Sequence, residues 1–315
     1  MILLLVAATG MLMLATACAS GRDWRLVILS SFRLHLVGVA AALAVLVLIV
    51  DIGAVARSAL LLLLLIVTAV NLHPIVKSVR ASRQATDGPR LRIAFANLLE
   101  SNLAHQHVIE WVRQEDPDIF IVAETAAPWR LSLATLNGQY PYSTPSRLGD
   151  VVLFSRLPFD SEPVDLYPEI GHAVVVDIAG VTVVGVHTAS PQTPRFGRAL
   201  DALLETIADR LHDTNGPVVA IGDFNAAPWT KAVLKFKQAT GLSCGPGAWI
   251  GTYPAEVAGR RFPTWLAIPI DIAMAGRGAR VVARRHGPRI GSDHWPILAE
   301  VALAKRPENP ANPAP

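Results

Sequence analysis

The sequence predicts an α/β domain that follows about three membrane-spanning helices. Uncharged runs fill most of the first 76 residues, and each is long enough, or nearly so, to cross a bilayer as a helix. From Leu91 to Leu303, short apolar segments typical of buried strands alternate with helical segments. Polar residues repeatedly stand beside the ends of the predicted strands. The chain is therefore predicted to join a membrane anchor to one α/β domain that carries a polar site.

Composition agrees with this division. The 315 residues are 52% hydrophobic and 17% charged, whereas roughly a quarter of the residues of an ordinary soluble domain are charged. The net charge of +3 identifies no partner by itself. Two cysteines, Cys18 and Cys244, lie far apart in the chain, so neither a disulfide framework nor a cysteine metal site is expected.

Three uncharged runs form the predicted anchor, residues 1–76. They extend from Met1 to Ala19, from Leu36 to Val50 and from Ser58 to Leu72, and flanking apolar residues lengthen the last two. Leucine on every face, with no polar stripe, argues against a soluble helical hairpin. The lipid bilayer is thus the predicted partner of these helices, and no obligate protein partner is evident from the sequence.

The first run has two alternative interpretations. A cleaved signal peptide would carry positive charge at its start, and Met1-Ile2-Leu3 has none. Cys18 ends a stretch, Ala15-Thr16-Ala17-Cys18, that faintly resembles a lipoprotein cleavage site. Whether residues 1–19 are retained or cleaved stays open.

The sidedness of the anchor is also open at this stage. Basic residues follow the first and third runs, and the positive-inside rule then favours a cytoplasmic C-terminal domain. These residues are Arg22, Arg25, Arg33, Lys77, Arg80 and Arg83. An odd number of spans that starts inside would instead place the domain outside.

A polar linker, residues 77–90, is predicted to separate the anchor from a domain over residues 91–303, and residues 304–315 form a tail expected to be disordered. Apolar runs within the domain predict strands over 91–96, 118–123, 149–155, 173–178, 181–186, 218–221, 270–275, 279–283 and 296–303. Helical spacing and stop signals predict helices over 102–114, 196–211 and 229–239.

Eight polar residues stand at or beside the ends of these strands: Asn97, Glu124, His187, Asp223, Asn225, Asp271, Asp293 and His294. Residues two apart in a strand point to the same side, so Asp223 and Asn225 would project together. A set rich in carboxylate and amide oxygens suits Mg²⁺, Mn²⁺ or Ca²⁺ better than a thiolate-binding metal.

Several short motifs carry these residues, and they are similar to those of a known family. They are Val122-Ala123-Glu124, Val186-His187, Gly222-Asp223-Phe224-Asn225, Pro269-Ile270-Asp271 and Gly291-Ser292-Asp293-His294-Trp295-Pro296. Over residues 91–303 the sequence resembles the endonuclease/exonuclease/phosphatase superfamily. The resemblance implies a four-layer α/β sandwich, in which two packed mixed β-sheets are flanked by helices.

The resemblance also implies a metal cofactor, Mg²⁺ or Mn²⁺. Glu124 corresponds to the principal metal ligand of the family, and Asn97 and Asp293 correspond to the residues that assist it. An ion held there would neutralise charge that grows on phosphate in the transition state.

The remaining motif residues correspond to catalytic groups. Asp223 is expected to orient or deprotonate the attacking water, and Asn225 and His187 to contact phosphate oxygens. His294 is expected to stabilise the pentacovalent phosphorus or to assist the leaving oxygen, with Asp271 holding its ring.

A basic stretch near the end of the domain has two interpretations. Arg284, Arg285 and Arg289 precede Asp293 and would help to collect an anionic substrate or a membrane surface. The alternative is an ordinary solvated face.

Together these observations predict a membrane-anchored phosphoesterase for phosphorylated small molecules or lipids, such as a lipid pyrophosphate or a lipid head group. A metal-dependent nuclease acting on DNA or RNA is the alternative, although no long insertion between Glu124 and His187 is available to grip a duplex. A non-catalytic domain that binds phosphorylated ligands is a third. Bacterial membrane-anchored members of the superfamily place this domain outside the cytoplasm, and we follow that resemblance for the localisation, an inner or plasma membrane.

Overall fold

The computed structural model describes residues 1–20, 24–79, 88–144, 150–168, 170–257 and 259–304. The centre of the predicted linker and the predicted tail from Lys305 onwards lie outside this part of the chain.

The N-terminal segment forms helices α1 (Ile2–Ala19), α2 (Trp24–Ser31), α3 (Arg33–Ile49) and α4 (Ala54–Val79). Two of them, α1 and α4, are long and apolar enough to cross a membrane by length and composition, while α3 is apolar but shorter, with 17 residues. The short helix α2 was not predicted. Apolar side chains on α1, α3 and α4 are exposed to a degree unusual for a soluble bundle.

A buried arginine ties these helices together. The Arg33 guanidinium donates to the Ala19 carbonyl at 2.8 Å, to Ser20 Oγ at 2.9 Å and to Asn71 Oδ1 at 3.1 Å. Asn71 in turn donates to Thr16 Oγ1 at 2.9 Å. A buried charge is costly unless it is fully hydrogen-bonded, so this network fixes the relative positions of α1, α3 and α4.

The domain contains two six-stranded mixed sheets. The strands of the first sheet are β1 (Arg90–Asn97), β2 (Ile119–Ala123), β3 (Tyr142–Ser143), β4 (Val151–Ser155), β13 (Ala279–His286) and β14 (Ile297–Leu303), in the order β13-β14-β1-β2-β4-β3. Those of the second are β5 (Val164–Leu166), β6 (Gly171–Ile178), β7 (Val181–Thr188), β8 (Val218–Asp223), β9 (Ser243–Cys244) and β12 (Asp271–Gly276), in the order β5-β6-β7-β8-β12-β9. A small hairpin pairs β10 (Glu256–Val257) with β11 (Arg260–Arg261).

Helices cover the outer faces of both sheets. On the first sheet these are α5 (His105–Glu115) and α6 (Ala127–Leu133), and on the second α7 (Pro194–Arg210) and α8 (Lys231–Thr240). The central core lies between the sheets, where β-branched and aromatic side chains from both interdigitate. The predicted four-layer sandwich is therefore confirmed.

The first predicted helix begins three residues later than expected. Asn102 does not enter α5, because its side chain accepts from the Ala104 amide at 2.8 Å and donates to the carbonyls of Leu98 and Ile290. An asparagine that bonds the local backbone in this way competes with helix formation.

Strand direction brings the polar residues to one edge of the sandwich. The parallel pairs β1/β2 and β7/β8 present their carboxyl ends together, with His187 opposite Asp223. Strands β12 and β14 run antiparallel to β8 and β1, so their amino ends lie at the same edge. Asp271 therefore lies opposite Asp223 although it starts its strand rather than ending it.

Candidate active site

The structure brings the eight predicted polar residues to a single pocket. Glu124, His187, Asp223, Asn225, Asp293 and His294 line a cavity of about 840 Å³. Asn97 and Asp271 lie immediately behind it, hydrogen-bonded to Glu124 and His294 respectively.

Asp223 lies at the centre of this constellation and is almost fully buried. Its Oδ2 atom is 3.8 Å from Nε2 of His187 and 3.7 Å from Nε2 of His294. Its Oδ1 atom accepts a hydrogen bond from the Asn225 amide at 2.8 Å, which fixes the carboxylate plane. The Asp223 carboxylate thus lies close to two imidazole rings, one on the neighbouring strand β7 and one on the loop that precedes β14 of the other sheet.

A glycine allows this close approach of β7 and β8. A Cβ atom on Gly222 would lie 1.9 Å from the Val186 carbonyl oxygen, so a larger residue would force the two strands apart. Gly222 precedes Asp223 and Val186 precedes His187, so the glycine controls the distance between the two functional side chains.

Two of the site residues have left-handed backbone conformations. The φ angle is +60° at Glu124 and +46° at Asn225, values that are uncommon for residues other than glycine. Such conformations redirect the chain as it leaves β2 and β8, and strain of this kind is concentrated at functional sites. Here it turns both side chains into the pocket.

His294 is oriented by Asp271. Its Nδ1 atom donates to Asp271 Oδ2 at 2.9 Å, which leaves Nε2 directed towards Asp223. The Asp271 backbone is itself held, because its amide donates to Thr252 Oγ1 at 3.1 Å. Ser292 ties the loop to the first sheet by donating to the Asn97 carbonyl at 2.7 Å.

His187 has an equivalent partner, Asp150, which the sequence analysis missed. Nδ1 of His187 lies 2.9 Å from both carboxylate oxygens of Asp150, and the Glu124 amide donates to the same carboxylate at 3.3 Å. The sequence did contain a sign of it: Asp150 stands at the start of an apolar strand, β4, just as Asp271 stands at the start of β12. The site therefore contains two separate His–Asp pairs.

Burial and neighbouring carboxylates raise the pKa values of Asp223, His294 and His187. Burial raises the pKa of Asp223, and the neighbouring Asp271 carboxylate adds to the rise. Burial alone would lower the pKa of His294, but the carboxylates of Asp271 and Asp223 outweigh it and raise the pKa to about 10. For His187, burial is likewise outweighed by Asp150, and the pKa rises to about 9. Asp223 thus binds its proton more tightly mainly because it is buried, and the two imidazoles do so because aspartates surround them.

The carboxylates in the pocket fit a divalent cation. Glu124 and Asp293 both face the pocket, and hard carboxylate oxygens are the donors that Mg²⁺ and Mn²⁺ prefer. Asn97 lies beside this group, since its amide nitrogen donates to Glu124 Oε1 at 2.9 Å while its Oδ1 atom accepts from the Leu99 amide at 3.1 Å. Burial also raises the pKa of Asp293, as expected for a carboxyl group in need of a counter-charge.

A second group of donors could also hold a metal ion. Donor atoms of Asp223, Asp271 and His294 all lie within 4.8 Å of one another. In this group Nδ1 of His294 donates to Asp271, which leaves Nε2 as the ring nitrogen able to bind a metal. The site therefore offers two groups of oxygen and nitrogen donors, and the sequence prediction favours the one that contains Glu124, Asn97 and Asp293.

The three arginines predicted to collect anions lie elsewhere. Arg284 is 9% exposed, and its guanidinium donates to the backbone carbonyls of Gly247, Ile250 and Asp271. It supports the loops behind Asp271, so the expectation that it attracts substrate is wrong. Arg285 pairs with Glu115, and Arg289 pairs with Glu256. Among the described residues that line the pocket, Arg130 on α6 is instead the only lysine or arginine.

The His187–Asp150 pair predicts a pH dependence of stability. The folded-state pKa of His187, about 9, exceeds its ordinary value of 6.5, so the folded protein binds this proton more tightly than the unfolded chain. The stabilisation is complete below about pH 6.5 and is lost as pH rises towards 9. We expect the Tm of the metal-free protein in chelator to fall over this range, and to fall less steeply in Asp150→Asn.

The matched control for that experiment is Asp213→Asn, which makes the same change at an exposed aspartate. Its Tm should follow the wild-type pH dependence. Equal slopes in wild type and Asp150→Asn would show that Asp150 does not hold the His187 proton.

The sequence profile of the Endonuclease/Exonuclease/phosphatase family matches residues 93–294. No curated protein sequence matches the chain.

Solved structures share the fold at low identity. An endonuclease/exonuclease/phosphatase from Beutenbergia cavernae is 19% identical with a TM-score of 0.54, over 68% of this chain and 72% of that chain. Truncated TDP2 of Caenorhabditis elegans is 14% identical with a TM-score of 0.51, over 68% and 98%. TDP2 of D. rerio, complexed with a single strand DNA product, is 12% identical with a TM-score of 0.55, over 67% and 98%. The profile match spans well over half of the chain, and the chain therefore belongs to the endonuclease/exonuclease/phosphatase family of metal-dependent phosphoester hydrolases.

Proposed function

We propose that the protein is a membrane-anchored, divalent-metal-dependent hydrolase of a phosphate mono- or diester. The observation that carries this proposal is the position of the Asp223 carboxylate, between two imidazoles that are each held by a second aspartate. Metal-assisted attack of water on phosphorus requires a base, cationic donors and an oxygen-rich cation site within one pocket. All three are supplied by residues that converge at this edge.

Each polar residue of the pocket has a separate role in this proposed reaction. Asp223 Oδ2 accepts the proton of the attacking water, a role suited to a carboxylate of raised pKa. His294, protonated and held through Nδ1 by Asp271, directs Nε2–H at charge that develops on phosphorus or on the leaving oxygen. His187, held by Asp150, directs its own Nε2–H at a phosphate oxygen, and Asn225 binds another.

The cation would be held by Glu124, Asn97 and Asp293. When bound, Mg²⁺ or Mn²⁺ supplies charge neutralisation at the phosphoryl oxygens and lowers the pKa of a bound water. The raised pKa of Asp293 supports this placement.

The anchor part of the proposal rests on α1 and α4 and on their exposed apolar side chains. Both are long enough to span a hydrocarbon core of about 30 Å or nearly so. We propose an inner or plasma membrane location with the domain outside the cytoplasm, following the resemblance to bacterial anchored members. A phosphorylated small molecule or lipid is the proposed substrate.

A nuclease is the second candidate. In its favour, TDP2 of D. rerio has this fold and was solved with a single strand DNA product. Against it, polynucleotide binding depends on several phosphate-neutralising side chains, and Arg130 is the only lysine or arginine on the described pocket lining. The small-molecule or lipid substrate is therefore preferred.

The test is a panel of phosphoesters presented to the full chain in detergent. Bis-p-nitrophenyl phosphate, p-nitrophenyl phosphate, a lipid pyrophosphate, plasmid DNA and single-stranded DNA are compared with Mg²⁺, with Mn²⁺ and with EDTA. We expect hydrolysis of small or lipid phosphoesters, its loss in EDTA and its return with excess metal. The full chain is used because α2 and α4 pack on Ala227 and Trp229, which a truncated domain would expose.

An Asp223→Asn preparation, purified in parallel, controls for contaminating hydrolases. Preferential cleavage of DNA would favour the nuclease. A wild-type protein inert on every ester with both metals would contradict hydrolysis and leave binding of phosphorylated ligands as the function.

A further inference from the structure

We propose that α2 and the turn that follows it form an apolar wall of the active-site pocket, against which the apolar group of an amphiphilic phosphoester lies. Ile28 and Phe32 are the residues of this wall. The inference rests on the proposed hydrolase function and adds a specificity element to it. The helix α2 lies outside residues 93–294, so the wall is contributed by a part of the chain that the family profile does not include.

The wall belongs to the same cavity as the catalytic groups. Ile28 and Phe32 line the pocket that Glu124, Asp223 and His294 also line. Ile28 is 38% exposed and Phe32 is 36% exposed, so both keep apolar surface that is not buried against the domain. Exposed apolar side chains inside a polar pocket lower the free energy of a ligand that covers them.

Hydrogen bonds hold α2 against the segment that follows β8, the strand that ends at Asp223. Trp229 Nε1 donates to the Ser30 carbonyl at 2.7 Å, and the Ala227 amide donates to Ser31 Oγ at 3.2 Å. Both donors lie just beyond Asn225, which follows β8. The wall is therefore positioned relative to Asp223 by the same segment that positions Asn225.

The start of α3 contacts the domain two residues before Ile268, which lines the pocket. His35, at the start of α3, hydrogen-bonds the Leu266 carbonyl through Nε2 at 2.8 Å. The neighbouring Trp265 is 73% exposed, and exposed tryptophans are typical of the membrane–water interface. Ile28 and Phe32 thus line the acidic pocket on the side where the chain continues into the apolar helix α3, the side from which we propose that the apolar part of an amphiphile enters.

The polar end of the pocket suits the head of such a molecule. Arg130 lines the pocket and is exposed, and it forms no ion pair within the described part of the chain. Arg130 follows β2 on the first sheet, whereas α2 is bound beside β8 of the second. The positive charge of Arg130 and the apolar side chains of Ile28 and Phe32 thus lie on different sides of the pocket. This arrangement matches a phosphate joined to a hydrocarbon group.

The test compares two p-nitrophenyl phosphodiesters that differ only in the second ester group, ethyl or octyl, with the full chain in nanodiscs and Mg²⁺. Release of p-nitrophenolate gives kcat/KM for each ester. We expect the octyl ester to be favoured on the order of tenfold or more, mainly through a lower KM. In Ile28→Asn and Phe32→Asn the octyl-to-ethyl ratio should fall towards one.

Two features make the outcome decisive. Partition of the octyl ester into the nanodisc would raise its apparent kcat/KM, but equally in every variant, so only the change of ratio reports the wall. Leu103→Asn is the matched control, because Leu103 is 88% exposed and does not line the pocket. Its ratio should equal that of the wild type.

A ratio near one in the wild type, or a high ratio that survives both substitutions, would overturn the inference while leaving the hydrolase intact. Failure to hydrolyse either diester would also overturn the inference, and the panel described above, which includes a monoester and a lipid pyrophosphate, then decides whether the proposed function falls with it.

Discussion

Asp223→Asn is expected to lower kcat on the order of a hundredfold or more on any phosphoester that the protein hydrolyses. The amide is nearly isosteric and can still accept the hydrogen bond of the Asn225 amide, so the local fold should persist. What it loses is the ability to take a proton from water and the negative charge between two imidazoles. Steady-state kinetics with saturating Mg²⁺ measure the effect.

The matched control is again Asp213→Asn at an exposed aspartate. It should retain wild-type kcat, and both variants should show the wild-type Tm to within a few degrees. A kcat for Asp223→Asn within threefold of the wild type would remove Asp223 from the role of general base.

His294→Gln is the second large effect that we expect, also on the order of a hundredfold or more in kcat. Glutamine can occupy the space but carries no positive charge, whereas the pKa of His294, about 10, keeps the imidazole protonated at neutral pH. Two roles are open to that proton: neutralising charge on phosphorus, or protonating the leaving oxygen. A pair of diesters with alcohol and p-nitrophenolate leaving groups separates them.

If His294 protonates the leaving oxygen, the loss should be large for the alcohol and much smaller for p-nitrophenolate, which leaves without a proton. Equal losses would indicate charge neutralisation at phosphorus. His107→Gln, at an exposed histidine of α5, is the control, and it should leave kcat unchanged with both esters. An unchanged kcat with both esters would exclude His294 from the reaction.

The strands and the strand-end positions of the polar residues were accessible to sequence reasoning for physical reasons, whereas the four-layer arrangement came from the resemblance to a known family. The apolar runs that became β2, β7 and β8 are buried on both faces, so composition alone distinguishes them. The residues that follow them necessarily share an edge once the strands pair in parallel. Parallel pairing alone groups Asn97 with Glu124 and His187 with Asp223, whereas bringing the edges of the two sheets together rested on the resemblance.

What sequence reasoning missed depends on contacts between distant segments. Asp150 becomes a partner of His187 only because β4 runs antiparallel to β2 and returns its amino end to the pocket. Arg284 was taken for a surface charge, yet it is buried because three backbone carbonyls converge on it. No local pattern reports either pairing.

The docking of α2 was missed for a related reason. The connector between the first two apolar runs contains arginines and aromatic residues, which suit a membrane surface as well as a protein contact. Its position against Ala227 and Trp229 depends on hydrogen bonds across about 200 residues of chain. The predicted separation of anchor and catalytic domain is consequently less complete than the sequence suggests.

The most direct measurement of the central claim is the position of a bound cation. Crystals of the full chain grown with Mn²⁺ would be measured at the manganese absorption edge, where anomalous scattering identifies the ion independently of the refined coordinates. We expect an anomalous peak at coordination distance from carboxylate oxygens of Glu124 and Asp293, beside Asn97. A peak bound only by Asp223 and Asp271, or no peak in the pocket at saturating Mn²⁺, would contradict it.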